Sequence, residues 1–177
     1  MLQRVIRNIM RSDVDGVVVV LGFRADELYR SIPAAKKIKV VVNEDFNSGL
    51  SSSLKAGLEA LDEDVDAAIF VLADQPFVDA SVINSLTRTY KKTKAPIVIP
   101  TYKGKRGNPV LIDKSLFEEV KSIFGDVGAR QVVWRHAKEA REVEVDNPGI
   151  LFDVDTPEEF ESARKTLGIS RESKKPP

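Results

Sequence analysis

Ala67-Ala68-Ile69-Phe70-Val71-Leu72-Ala73-Asp74-Gln75-Pro76 is an unbroken apolar run that ends on a carboxylate and a turn. A short apolar run bounded by turn residues reads as a strand covered on both faces, as parallel strands are. Asp74 then stands at the carboxyl end of that strand. In open α/β sheets, ligands bind in the crevice outside those ends. An acidic side chain there can hold a hard cation, the kind of ion that a nucleoside triphosphate carries with it. An Asp after a strand can also simply cap the next turn, so the position alone does not decide.

Outward from this run, strands and helices alternate. Leu2, Val5, Ile6, Ile9 and Met10 recur at helical spacing, with no capping residue ahead of them. Val17 to Leu21 is a β-branched strand closed by Gly22, and Ile38 to Val42 is the next strand, ending at Asn43. Leu50, Leu54, Leu58 and Leu61 form a helical stripe that leads to the Asp74 strand. Val82, Ile83 and Leu86 mark a further helix, with Asp79 or Ser81 as its cap. Pro96 to Pro100 reads as a strand, 101–108 as a polar basic loop, and Pro109 to Ile112 as a short strand. Helices around Val120 and over 129–136 follow, then an alternating strand over 142–145 and an extended or strand segment over 151–155. Thr156-Pro157-Glu158-Glu159 is a strong helix start. This order predicts a doubly wound α/β fold with a mostly parallel sheet flanked by helices and right-handed crossovers. One domain over 1–169 is expected, with 170–177 as a disordered tail.

Lys plus Arg and Asp plus Glu are both 27, which argues against a non-specific nucleic-acid binder. Without cysteine, no disulfide, thiolate metal site or Cys nucleophile is available. No apolar run approaches the ~18 residues that span a bilayer. The expectation is a cytoplasmic protein with no membrane and no nucleic-acid partner. His136 and Trp134, each single in the chain, sit in no motif, so neither a His-based triad nor a zinc site is supported.

Further constellations could carry chemistry. Asp153 and Asp155 also precede a helix, and Thr156 is the better cap, which leaves at least one of them for another task. Two strand-end carboxylates on one rim suit Mg²⁺, which takes one or two carboxylates plus phosphate oxygens and water. Gly49-Leu50-Ser51-Ser52-Ser53 gathers small residues and hydroxyls at a helix N-terminus, where free N–H groups favour an anion, although serines there also serve as caps. Arg106-Gly107-Asn108 lies in a basic loop that could grip a phosphate or be a solvated turn. Gly128 followed by Arg130 in a first helical turn places a cation at the end that disfavours it.

In this order, Gly49 to Leu54, Ala73 to Pro76, Arg106 to Leu111, Gly125 to Arg130 and Asp153 to Glu158 resemble the molybdenum cofactor cytidylyltransferase family, within the Mg²⁺-dependent, Rossmann-like nucleotidyltransferases. The resemblance spans roughly Leu2 to Leu167. It implies transfer of CMP from CTP to the terminal phosphate of the molybdopterin cofactor, with release of pyrophosphate and delivery of the product to a molybdoenzyme. It implies Asp74 and Asp155 as catalytic residues and Asp74, Asp155 and Asp153 as Mg²⁺ ligands. Asn43, Gly49, Ser51, Ser52, Ser53, Gln75 and Pro76 would touch the nucleotide. Arg106, Gly107, Asn108, Asp126 and Arg130 would lie on the pterin side. Family members begin with a strand and a glycine-rich loop bearing Arg and Lys that cradles the triphosphate. No such segment is found here, so the expectation is two half-sheets and little or no turnover by these residues. The alternatives are a guanylyltransferase or other nucleotidyltransferase of the same fold, and a non-catalytic cofactor-binding protein. A hydride-transferring reductase would need a dinucleotide fingerprint, and Gly22 stands alone.

Overall fold

The computed structural model describes residues 1–166. Leu167 and the expected tail over 170–177 lie outside the described residues. Helix α1 (Leu2–Met10) leads into strand β1 (Val17–Leu21), helix α2 (Ala25–Tyr29) and strand β2 (Ile38–Val42). Helix α3 (Leu50–Glu59) leads to strand β3 (Ala67–Phe70), which carries the Asp74 loop. After helix α4 (Ala80–Thr93) come strands β4 (Ile97–Tyr102), β5 (Lys105–Arg106) and β6 (Val110–Asp113), helices α5 (Phe117–Lys121) and α6 (Arg130–Arg135), strand β7 (Arg141–Glu144) and helix α7 (Pro157–Thr166).

The strands fall into two sheets. β1 and β2 form a two-stranded parallel pair, from Val17 opposite Ile38 to Leu21 opposite Val42. β3, β6, β4 and β5 follow one another in a five-stranded sheet, with β7 also paired to β4. β3, β4 and β7 run the same way, while β6 lies antiparallel between β3 and β4. The reversal has a simple cause. A parallel return needs a crossover of about a dozen residues or more, and the chain from Tyr102 to Val110 is a hairpin with β5 on its returning arm. Pro148–Leu151 forms a 3₁₀ turn and 152–155 lies in no strand, so of the two forms expected over 151–155 the extended segment is the one present, from 152 onward.

Alternation along the strands builds the layers. Ala68 and Phe70 face a core cluster made with Leu54 and Leu58 of α3 and with Ile97, Ile99 and Ile112. Ala67 and Ile69 face the opposite side, against Leu86 and Tyr90 of α4. Val19 and Leu21 pack on Ile6 of α1. Of the two caps expected for α4, Asp79 is the one used. Its Oδ1 accepts from the N–H groups of Ser81 at 2.9 Å and Val82 at 3.2 Å. At α7, Thr156 and Glu159 cap each other reciprocally: Glu159 N donates to Thr156 Oγ1 at 3.1 Å and Thr156 N to Glu159 Oε2 at 3.1 Å.

α5 and α6 are too short to be stable alone, and an ion-pair group ties them. Glu119 accepts from His136 Nε2 at 2.8 Å and from Arg135 at 3.0 Å, and Glu139 lies 3.5 Å from the other ring nitrogen. The Glu119 hydrogen bond raises the His136 pKa above its ordinary 6.5. A His raised on folding stabilises fully below its unfolded value, and that contribution is lost as pH rises through the folded value. Melting temperature measured in pH steps upward from 6.5 is therefore expected to fall in the parent protein by a component that His136→Gln lacks. The component is on the order of 0.2–1 kcal/mol, as for partly exposed pairs. Parallel pH profiles for the two proteins would remove the ion-pair group from the stability account.

Candidate functional site

The Asp74 loop is built by its neighbours more than by its own residues. Beyond Phe70 the chain continues without a strand partner and turns: Gln75 N donates to Leu72 O at 3.3 Å, and Val78 N to Gln75 O at 3.3 Å. Val154 N donates to the Asp74 carbonyl at 2.8 Å. Val154 is fully buried and packs with Phe77 and Ala163. With Val154 turned inward, the flanking Asp153 and Asp155 are both exposed, the alternation of an extended chain. Gln75 is only 1% exposed, and its amide donates to Asp153 Oδ1 at 2.6 Å. The structure thus brings Asp74, Gln75, Asp153 and Asp155 together from segments about eighty positions apart in sequence.

The electrostatics of this group are unresolved within the protein itself. Burial raises the Asp74 pKa first, the Asp153 charge adds to it, the loop backbone partly offsets it, and Asp155 raises it further. Asp74 Oδ1 and Gln75 Oε1 are buried and have no hydrogen-bond partner. Adjacent buried acceptors without donors, beside two more carboxylates, are the donor set that a hard cation fits. Among the described residues, no group of three Asp, Glu, His or Cys side chains encloses a metal by itself. One Asp153 oxygen is held by Gln75; its other oxygen, Asp74 and Asp155 are the carboxylate groups here that could contribute to holding an ion, with water and phosphate oxygens.

Two groups missed by the sequence reading hold this loop in place. Arg4 Nε donates to the Pro76 carbonyl at 3.0 Å, and its guanidinium lies over the stacked rings of Phe77 and Phe160 at 5.6 and 5.7 Å. Asn8, one helical turn later, donates to Val78 O at 2.8 Å and to Pro76 O at 3.3 Å. Their i, i+4 spacing puts them on one face of α1, but Gln3 and Arg7 share that spacing, so the sequence alone did not single them out.

A second cluster lies at the end of the other sheet. Asn43 is buried, 6% exposed, and its amide donates to Ser52 Oγ at 2.8 Å and Ser53 Oγ at 3.1 Å. The start of α3, read as an anion site, is partly filled by protein. Leu50 N donates to Asp126 Oδ1 at 3.2 Å, and the buried Ser51 donates its N–H to Gly125 O at 3.1 Å. Gly49 has φ +96°, and a Cβ there would stand 2.6 Å from Gly125 C, so only glycine fits this contact. Asp126 is thus turned onto the N-terminus of α3. Arg130 is exposed at the start of α6.

The third group sits against the turn that precedes Asp153. Asn108 N donates to Ile150 O at 3.0 Å, and a Cβ on Gly107 would lie 2.4 Å from the same oxygen. Arg106 is engaged with Glu142 at 2.6 Å.

Known proteins are similar to this chain in sequence and architecture. A family described as a MobA-like NTP transferase domain matches residues 1–140. Molybdenum cofactor cytidylyltransferase of Escherichia coli (strain K12) is 23% identical over 149 residues, 84% of this chain and 74% of that protein. Nicotine blue oxidoreductase of Paenarthrobacter nicotinovorans is 28% identical over 155 residues, 81% and 72% of the two chains. Among solved structures, a homologue of Mycobacterium tuberculosis Rv0371c from Mycobacterium sp. strain JC1 superposes with a TM-score of 0.80 at 27% identity, covering 94% of this chain and 82% of that one. Rv0371c of Mycobacterium tuberculosis H37Rv, solved in complex with manganese, gives 0.77 at 24% identity, covering 94% and 86%.

The raised Asp74 pKa has a testable sign. A carboxyl whose folded value lies above its ordinary 3.8 favours folding while protonated and loses that contribution as pH rises through the folded value. At neutral pH the Asp74 anion therefore works against the metal-free fold. Asp74→Asn is expected to melt higher than the parent without metal at pH 7, with the gap closing as pH falls below 3.8. The same variant is expected to bind Mn²⁺ more than about 100-fold more weakly in calorimetry, beyond what losing even an outer-shell partner costs. A lower melting temperature together with unchanged Mn²⁺ affinity would assign Asp74 a structural role.

Proposed function

From the premise that this chain belongs to the MobA-like NTP transferase domain family, we propose that it carries the core of a cytidylyltransferase acting on the molybdopterin cofactor. In that reaction a terminal phosphate oxygen of the pterin attacks the α-phosphorus of CTP. The bond to the bridging oxygen breaks, and pyrophosphate leaves with its electron pair. The observation that carries the reading is the Asp74 group: a half-buried carboxylate with an orphan oxygen, beside Asp153 and Asp155, at a strand end. The family gives the chemical class, and the relative named as a molybdenum cofactor cytidylyltransferase supports the finer choice of CTP and pterin.

Such transfer depends on alignment and charge stabilisation. Asp74 and Asp155 would hold Mg²⁺, which when bound neutralises the triphosphate charge, and Gln75 keeps Asp153 directed at the same rim. Asn43, Gly49, Ser51, Ser52 and Ser53 would meet the nucleotide, together with Pro76. Gly107, Asn108 and Arg106, with Asp126 and Arg130, would form the pterin side. Arg4, Arg24 and Arg106 are engaged with Pro76, Glu27 and Glu142. The setting would be the cytoplasm, with a molybdoenzyme receiving the product. Among the described residues no helix is long and apolar enough to cross a membrane.

The test is binding of CTP with and without Mn²⁺. The expected result is metal-dependent binding that Asp74→Asn and Asp155→Asn each lose, and CTP outcompeting GTP and ATP. A preference for GTP would move the assignment to a guanylyltransferase. Equal binding of CTP by the parent and Asp74→Asn would end the metal assignment. The relative named as an oxidoreductase favours one other reading, and NADH oxidation by the purified protein would establish it instead.

A further inference from the structure

Among the described residues, β2 bonds to β1 on one side and to no strand on the other. The directions of its backbone groups follow from the ladder. Val17 N donates to Lys37 O and Asn43 N donates to Leu21 O, both at 2.7 Å. The N–H and C=O of one strand residue point the same way, and those of the next residue the opposite way. Lys37, Lys39, Val41 and Asn43 are therefore turned to β1. Ile38, Val40 and Val42 present their carbonyls to the open edge, and Val40 and Val42 their N–H groups as well. The Ile38 N–H already donates to Ala35 O at 3.0 Å.

Little protects this edge. Proline, bulges and outward lysines are what blunt an edge strand against pairing. Ile38–Val42 holds no proline and a single charge, and no bulge interrupts its register with β1. The charge, Lys39, is drawn onto the α3 side, where its ammonium donates to Ala60 O at 2.6 Å. The opposite face is apolar. Ile38 and Val40 join Ala25 of α2 and Ile6 of α1 in one cluster, and Val42, next in the alternation, is 54% exposed. Phe23, Leu28 and Tyr29, in and before α2, are exposed as well.

The flanks of the strand carry opposite charge. Lys36 and Lys37 precede it, and Glu44 and Asp45 follow it. The Lys37 ammonium donates to Val14 O, and Asp45 accepts from the Ser48 hydroxyl. The exposed side chains of Lys36 and Glu44 meet no hydrogen-bonding or ionic partner among the described residues. These two stand four positions before and four positions after Val40.

We infer that the open edge of β2 is a homodimer interface, along which two copies of this chain pair antiparallel about a two-fold axis at Val40. Each Val40 N–H then donates to the partner's Val40 carbonyl, and each Val42 N–H to the partner's Ile38 carbonyl. On the α2 face, Val40 meets its own counterpart and Val42 meets the partner's Ile38, which are apolar cross-strand pairs. At both ends Lys36 stands opposite the partner's Glu44, so each of the two unpartnered charges gains an opposite one. A two-fold contact needs a surface complementary to itself. The charge order of this segment, reversed about Val40, supplies that for a second copy, which singles it out among extended partners. No residue of the Asp74 group takes part.

The test is sedimentation of the full chain over a concentration series, with amide hydrogen exchange on the same samples. Neither readout depends on catalysis. The expected result is a dimer that grows with concentration. The Val40 and Val42 amides gain protection with it, on the order of tenfold, while Lys39 and Val41, already bonded to β1, do not change. Val40→Pro removes an outward donor and leaves the β1 ladder in place, and it is expected to weaken the dimer by on the order of tenfold, as two lost hydrogen bonds would. Lys36→Glu is expected to weaken it by about threefold or more, and adding Glu44→Lys to the same chain is expected to restore it. A monomer at every concentration would overturn the proposal. A dimer indifferent to both Val40→Pro and Lys36→Glu would place the contact elsewhere and overturn it too. Protection of Val40 and Val42 in a monomer, constant with concentration, would give the edge to another segment of the same chain and overturn it likewise.

Discussion

The main-chain bond from Val154 to the Asp74 carbonyl is the constraint on which the site depends. It joins the turn after β3 to the segment before α7, and the full burial of Val154 keeps that bond away from water. Two acidic residues flank Val154 and one precedes Gln75, so one hydrogen bond and one buried side chain decide that three carboxylates share a rim. Arg4 and Asn8 hold the same turn from the other side through Pro76 and Val78. The loop is clamped by α1 and α7, neither of which contributes a carboxylate.

Clamping like charges together works against the isolated fold. Burial and the neighbouring acids lift the Asp74 pKa, and two adjacent buried oxygens find no donor. Most buried acceptors in folded proteins are satisfied, and the open pair at Asp74 and Gln75 departs from that rule. The His136 group is the opposite case. There Glu119 meets two cations at hydrogen-bond distance, and the result is a structural tie between short helices. Ionisable groups at similar density serve different ends according to whether their charges cancel.

Most of the layer organisation was legible in the order of residues. The apolar runs at Val17, Ile38 and Ala67 and the helical stripes at Leu50 and Val82 mark strands and helices because each period is set by local geometry. The cap of α7 was legible too, since Thr156 and Glu159 lie within one turn and bond to each other. Asp74 was visible as a carboxylate at a strand end. For 151–155 the sequence left strand and extended segment open, because alternation of exposed and buried residues looks the same whether the backbone is paired or merely lies on a core, and over 152–155 the structure has the unpaired extended form.

What sequence alone determined, then, is local: element type, the placement of Asp74, Asn43 and Asp155 at element ends, and a balance of charge that disfavours nucleic acid. Tertiary structure decided everything that joins distant segments. It made β6 antiparallel, it turned Asp126 onto the N-terminus of α3, and it gave Arg4 and Asn8 their hold on the Asp74 turn. The physical reason is range. Periodicity and caps act over a few residues, whereas strand pairing and carboxylate convergence depend on which surfaces the packed helices bring within a few ångströms, and no single stretch of chain encodes that distance.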